Sequence, residues 1–169
     1  MNREILVCCG TGCLANGAQA VVDAFSAAIS GDGSISVKPA VKKTGCNGFC
    51  ENGPIVTIYP DNITYYKVRP ADISEIIKSL DGAPVERLLY RDDSGNAVCS
   101  REENPFYAAQ YKIALRNTGR IDPSSIQDYL DRGGYKGLEA ALSMSPEEVI
   151  EQIETSGLRG RGGAGFPTG

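Results

Sequence analysis

The sequence predicts a small α/β sandwich followed by a mostly helical segment, and three observations carry that reading. Short β-branched runs alternate with helix-period stripes over the first 80 or so residues. Glycine-rich, cysteine-bearing loops follow two of the expected strands. Beyond residue 103 the pattern changes to repeated cap-proline pairs, the mark of helix starts.

Ile5-Leu6-Val7 reads as a buried strand running into the first cysteine loop, and Asn16 is placed to cap the helix that follows. In that helix Ala18, Val21, Val22, Phe25, Ala28 and Ile29 recur at spacings of three and four, and Gly31-Asp32-Gly33 ends the run. Ile35, Val37 and Val41 alternate with polar neighbours, as a half-buried strand would, and lead to the second cysteine loop. Ile55–Tyr59 and Ile63–Val68 flank Pro60-Asp61-Asn62 as a hairpin. Pro70 opens a last helix with Ile73, Ile76, Ile77 and Leu80 on one face, ended by Asp81-Gly82. The order is β-α-β-β-β-α.

Residues 83–103 show weak periodicity and read as an irregular connector. Asn104-Pro105, Asp122-Pro123 and Ser145-Pro146 then mark three helix starts, the third with Glu148 where a capping box needs it, and glycines at 119, 133–134 and 157 mark the ends. The domains expected are thus 1–82, a connector at 83–103, and a helical start of a second domain at 104–169. A chain ending in Leu158-Arg-Gly-Arg-Gly-Gly-Ala-Gly-Phe-Pro-Thr-Gly169 buries little there, and the expectation is a fragment of a longer protein.

Composition narrows the function. With 41% hydrophobic residues among 169, the chain can bury a core, yet no apolar run reaches the roughly 18 residues of a membrane span. The N-terminus lacks the regions of a signal peptide, so a cytoplasmic location is expected. There, six cysteines serve as metal ligands, redox centres or core filler rather than disulfides. A net charge of −4 argues against a nucleic-acid partner, and the absence of histidine removes His-based acid-base chemistry. No constellation supplies a nucleophile with its base, so no catalytic residue is assigned.

The cysteines carry the chemistry. Cys8 and Cys13 have four residues between them, Cys46 and Cys50 have three, and Gly10, Gly12, Gly45, Gly48 and Gly53 crowd both loops. Two loops at adjacent strand ends can bring four thiols to one point. Small residues let backbone amides approach cluster sulfurs, whereas structural zinc favours C-x2-C pairs, which are absent. Cys9 and Cys13 would repeat the spacing of the second pair, so Cys9 stays open as an alternative ligand to Cys8, although neighbours on an extended segment point apart. Cys99 lies outside both loops and reads as a packing residue.

"CCGTGCLANGA" with "TGCNGFCENGP" resembles the thioredoxin-like [2Fe-2S] ferredoxin family over residues 3–80. The resemblance implies a thioredoxin-like fold for residues 1–82 and Cys8, Cys13, Cys46 and Cys50 as ligands of a [2Fe-2S] cluster. The end of the chain is ambiguous by itself. Gly160, Gly162 and Gly165 match a dinucleotide fingerprint but follow a helix rather than a strand, so a phosphate-holding loop with Arg159 and Arg161 and a plain surface loop are both open.

"IDPSSIQDYLDRGGYKGLEAAL" and "GLRGRGGAGFPTG" resemble the start of the NADH-binding flavoprotein subunit of respiratory complex I and NAD(P)-dependent hydrogenases. That resemblance implies FMN at Gly160, Arg161, Gly162, Gly163, Ala164 and Gly165, with Phe166 lining the nicotinamide pocket. Most of the flavin and NAD(P) domain and the [4Fe-4S] motif would lie beyond Gly169. The implied role is one-electron transfer within an NAD(P)H-dependent, flavin-containing oxidoreductase, with other iron–sulfur subunits as partners. The rival reading is a zinc-stabilised docking module without redox activity.

Overall fold

A computed structural model describes residues 3–31 and 38–169. They fall into two compact units, 1–128 and 129–169. In the first, β1 (Glu4–Cys8) is followed by α1 (Thr11–Ala15), α2 (Ala18–Gly31), β2 (Ala40–Thr44), β3 (Val56–Tyr59), β4 (Ile63–Tyr65) and α3 (Ile73–Lys78). The four strands form one sheet in the order β2-β1-β3-β4. β1 and β2 run parallel, with Val7 opposite Lys43 and Cys8 opposite Thr44, and β3 is antiparallel to both β1 and β4. A parallel β1–β2 pair needs a crossover, which the long amphipathic α2 supplies.

The expected stripes form the core. Val21, Val22, Phe25 and Ile29 of α2 pack with Ile5 and Val7 of β1, Ile55, Val56 and Ile58 around β3, and Ile73 and Ile76 of α3. Phe25, Ile5 and Val7 are completely buried, and each such side chain contributes about 1.5–3 kcal/mol of transfer free energy.

Several expectations change in detail. Asn16 ends α1 rather than starting α2: its amide donates to the Gly12 and Cys13 carbonyls, and the Gly17 carbonyl accepts the first bond of α2 from Val21. Cys13 therefore sits on a helical turn instead of in a loop. Asp32, Gly33, Ile35 and Val37 lie outside the described residues, and Val41 falls in β2 as expected. β4 stops at Tyr65, because Lys67 has a positive φ of 54°.

Residues 83–103 carry more structure than their weak periodicity suggests. Val85, Leu88 and Leu89 are buried in the core cluster, and β5 (Tyr90–Arg91) pairs with β6 (Ala97–Val98). The segment also closes the open edge of β4, where the Thr64 amide donates to the Cys99 carbonyl and the Tyr66 amide to Leu88. An edge strand left bare would invite foreign pairing.

The helix expected over 105–119 is reduced to one turn, α4 (Pro105–Ala108). Asn104 does cap it, accepting from the Phe106 amide at 3.0 Å. The Gln110 side chain then donates to the Phe106 carbonyl at 2.9 Å, taking the acceptor that a continuing helix would use. Asp122 does not cap a helix either. It closes a local turn with the Ser124 amide at 2.8 Å, and Ser125 caps α5 (Ile126–Asp131) by accepting from the Asp128 amide at 3.1 Å.

In residues 129–169, α6 (Lys136–Leu142) and α7 (Pro146–Thr155) follow. Ser145 and Glu148 form the expected capping box, with bonds of 3.2 and 2.7 Å. Neither α6 nor α7 buries a residue. No helix among the described residues is long and apolar enough to cross a membrane.

Candidate metal centre

The sheet places the cysteines. Cys8 ends β1 with its amide bonded to the Ile55 carbonyl, and Cys13 sits one helical turn further on. Cys46 and Cys50 follow β2, and Gly48 between them turns the chain at a φ of +85°, a region that favours glycine. Thus β1 and its neighbour β2 deliver the two motifs to the same end of the sheet.

The four thiols meet as two pairs. Cys8 and Cys13 lie close enough to couple electrostatically, and both are 1% exposed. Cys46 and Cys50 lie on the solvent side with their sulfurs 4.0 Å apart. Among the described residues no three Cys, Asp or Glu side chains converge on a single ion position. One tetrahedral ion would require four donors around one point; two pairs fit a centre with two irons.

Glycines make the pairs possible. A Cβ on Gly10 would stand 2.7 Å from the Cys46 Cβ and 3.0 Å from its sulfur, one on Gly12 would stand 3.1 Å from the Cys50 sulfur, and one on Gly53 would stand 2.6 Å from the Cys13 sulfur. Each motif's glycines therefore lie against the other motif's cysteines. By contrast, a Cβ on Gly45 would meet nothing within 4 Å.

Backbone donors face the sulfurs. The Asn47 amide is 3.5 Å from the Cys8 sulfur and the Gly48 amide 3.3 Å from that of Cys46. The Cys13 hydrogen bond, helped by the Gly10 and Asn47 amides and the Asn47 side chain against the opposing effect of burial, brings the Cys8 thiol down to about 6. Its partner Cys13 is driven far up, first by that shared hydrogen bond with Cys8 and then by burial. Such donors stabilise thiolate sulfur and set the potential of a metal held there.

Cys9 stands apart from the pairs. Its amide continues the β1–β2 pairing to the Thr44 carbonyl at 2.8 Å, its side chain packs against the core, and burial raises its pKa. Cys99 is also half-buried against the core.

Residues with no motif of their own support the exposed pair. Phe49, between Cys46 and Cys50, stacks on Phe106 at 4.2 Å and 9°, and meets Tyr66, Tyr90 and Tyr107 at about 6 Å each. Asn104 is fully buried and donates to the Tyr66 hydroxyl at 3.0 Å. Only the x-position of "CNGFC" hints at Phe49; the rings it meets lie far along the chain, most of them 40 or more residues away, and leave no local signal.

This geometry has counterparts among known proteins. The thioredoxin-like [2Fe-2S] ferredoxin family model matches residues 2–81. A [2Fe-2S] ferredoxin of Aquifex aeolicus (strain VF5) is 37% identical over 79 residues, which cover 46% of this chain and 71% of that protein. The chain belongs to the thioredoxin-like [2Fe-2S] ferredoxin family. The family model does not span the whole chain, and two larger relatives are similar to parts of it. The NADP-reducing hydrogenase subunit HndC of Solidesulfovibrio fructosivorans is 60% identical over 60 residues, covering 36% of this chain. An NADH-quinone oxidoreductase subunit of Aquifex aeolicus (strain VF5) is 67% identical over 57 residues, covering 34%. The matches span only 12% and 13% of those two proteins.

The glycine-rich end lies in the second unit. Arg159, Gly160, Arg161, Gly163, Ala164 and Gly165 line an open hollow of about 420 Å³. The loop is closed by its own bonds: the Gly160 amide donates to the Phe166 carbonyl at 2.8 Å, Arg159 Nε to the Gly165 carbonyl at 2.6 Å, and Arg161 Nε to the Arg159 carbonyl at 3.0 Å. Phe166 is 74% exposed.

Proposed function

We propose that this chain is an electron carrier that holds a [2Fe-2S] cluster through Cys8 and Cys13 on one iron and Cys46 and Cys50 on the other. The observation that carries this reading is the division of the thiols into two pairs, each backed by glycines of the opposite motif where a Cβ would collide with sulfur or with a ligand side chain. The cluster supplies a one-electron couple. The protein's own part is to hold four thiolates, to direct the Asn47 and Gly48 amides at sulfur, and to bury the Cys8–Cys13 half while leaving the Cys46–Cys50 half toward solvent. No proton transfer is needed, which suits a site without an acid or base.

The names of the larger relatives support a place within a multisubunit NAD(P)H-linked oxidoreductase, with other iron–sulfur subunits as electron partners. In such an enzyme the loop Gly160–Gly165 is our candidate for holding the FMN phosphate, with Phe166 lining the nicotinamide pocket. The residues fit that group, since two guanidiniums and a run of glycines border an open hollow. NAD(P) and a [4Fe-4S] cluster belong to the same reading of the longer enzyme and not to the residues described.

Anaerobic purification, dithionite reduction and EPR test the carrier reading. The wild type and Cys9→Ser should both give a rhombic S = 1/2 signal, and Cys8→Ser should lose or alter it. The opposite pattern for Cys8 and Cys9 would move the ligand to Cys9. Colourless protein with stoichiometric zinc would replace the electron carrier with a docking module.

A further inference from the structure

Among the described residues Arg101 is a buried cation without a counter-ion. It is 7% exposed, and its guanidinium donates from Nη1 to the Thr118 carbonyl at 3.0 Å. The guanidinium carbon lies 4.6 Å from the centre of the Tyr107 ring. No ion pair among the described residues joins it to a carboxylate, and it lines a cavity.

Arg101 faces a cavity of about 440 Å³ whose wall also holds Lys112, Arg116, Arg120, Glu102 and Tyr107. Glu102 feels the charge of Arg101 but is not bonded to it; its carboxylate is held by Arg120 at 3.2 Å and by the Asn62 side chain at 2.7 Å. Lys112 sits 5.4 Å from the Tyr107 ring centre, and burial, then repulsion from Arg101, lowers its pKa against the opposing charge of Cys46, with Arg120 adding a smaller push down. Arg116 is exposed at the rim. Four cations thus gather around one committed carboxylate in a chain of net charge −4, which a generally basic surface does not explain.

We propose that this cavity binds a phosphate-bearing small molecule, with its di- or triphosphate group between Arg101 and the Lys112–Arg116 rim. The volume falls in the range of small-ligand sites, roughly 300–1,000 Å³. The deepest donor is buried, where a flat acidic protein face could not reach it, and guanidinium forks match phosphate oxygens in pairs. Tyr107 and Ala108 add an apolar wall for a ring or chain attached to the phosphate. The site stands on its own observations, whether or not the cysteines carry a cluster. It also adjoins them: Gly119, next to Thr118, has no room for a side chain because Arg101 Nη1 and the Asn47 carboxamide oxygen crowd that position.

Calorimetric titration of the 169-residue chain with orthophosphate, pyrophosphate and ADP, at low and moderate salt, tests this. One saturable site for pyrophosphate or ADP is expected, weakening as salt rises. The Lys112→Gln/Arg116→Gln double variant should bind at least about tenfold more weakly, as loss of two charge-assisted contacts implies, while melting as the wild type does. Equal binding of orthophosphate and pyrophosphate would support the site with a single phosphate as its ligand. No saturable binding at millimolar concentration, or binding indifferent to the double substitution, would overturn the proposal. Capture of a hexaglutamate peptide in place of all three anions would also overturn it, in favour of an acidic protein face.

Discussion

The two cysteine motifs lie at the same end of one sheet, but they are held by different parts of the molecule. Cys8 and Cys13 are fixed by the aliphatic core, between a central strand and a helical turn. Cys46 and Cys50 follow the edge strand β2 and rest on an aromatic group recruited from residues 66–107. The first motif is as rigid as the fold. The second depends on Phe49 and on what Phe49 touches. A cluster held as proposed would have a dry half that tunes its potential and an outer half open to an electron partner.

The largest expected effects separate the two supports. Phe25→Ala and Phe49→Ala each remove a buried ring, at about 3–5 kcal/mol for such truncations, but they should act at different levels. Phe25 is fully buried beneath the sheet, so its loss should lower global stability in denaturant titration. Phe49→Ala should instead speed amide exchange at Asn47 and Gly48 and hasten loss of metal to a chelator, leaving exchange in β1 nearly unchanged. Equal exchange changes in both motifs would show that they are one cooperative unit.

Glycine substitutions sharpen the comparison at a smaller scale. Gly53→Ala and Gly10→Ala place a methyl group against Cys13 and Cys46 respectively, and overpacking of this kind costs about 1–3 kcal/mol. Metal content per chain should fall in both. Gly45→Ala has open space and an ordinary φ and should behave as the wild type. A defect in Gly45→Ala equal to that in Gly53→Ala would mean that the close approach of the motifs is not what holds them. Next in size is Asn104→Ala, which removes the cap of α4 and the donor to Tyr66. Each loss is worth about 1 kcal/mol, and the effect should again concentrate in the aromatic support of Cys46 and Cys50.

The sequence made the first support legible and concealed the second. The α2 stripe and Ile73 and Ile76 of α3 are periodic features that formed where their period placed them, and the β3–β4 hairpin formed with a shortened second strand. The cysteine spacing was equally readable, since each cysteine pair and the glycines of its loop lie within a few residues of one another. The aromatic support was not, because Phe49, Tyr66, Tyr90, Phe106 and Tyr107 are scattered and obey no period. The shortened helix after Pro105 has the same cause. Local propensity favoured continuing it, but Phe106 and Tyr107 are drawn onto Phe49, Arg101 binds the Thr118 carbonyl, and Gln110 caps the turn with its side chain. Arg101 itself carries no sequence signal, since nothing local shows that an arginine after a β-ribbon will be buried.

The smallest predicted effect concerns the edge strand that leads into the exposed motif. Lys42 of β2 is bound by Glu4 at 2.8 Å and by Asp128 at 3.1 Å, and Asp128 also accepts from the Asp122 amide at 3.0 Å and the Ser125 hydroxyl at 3.0 Å. Burial opposes ionisation of Asp128, but the Asp122 amide, Lys42 and Ser125 outweigh it and hold its carboxyl below the usual range. A carboxylate depressed in the folded state stabilises at pH values above its unfolded pKa, near 4, and loses that contribution as pH falls through the folded value. Asp128→Asn should therefore cost about 0.5–1 kcal/mol at pH 7, the scale of a partly exposed pair with its hydrogen bonds. The gap between wild type and variant in denaturant titrations should close as pH falls below about 4. A gap that stays constant down to about pH 3 would mean that Asp128 holds β2 by shape rather than by charge.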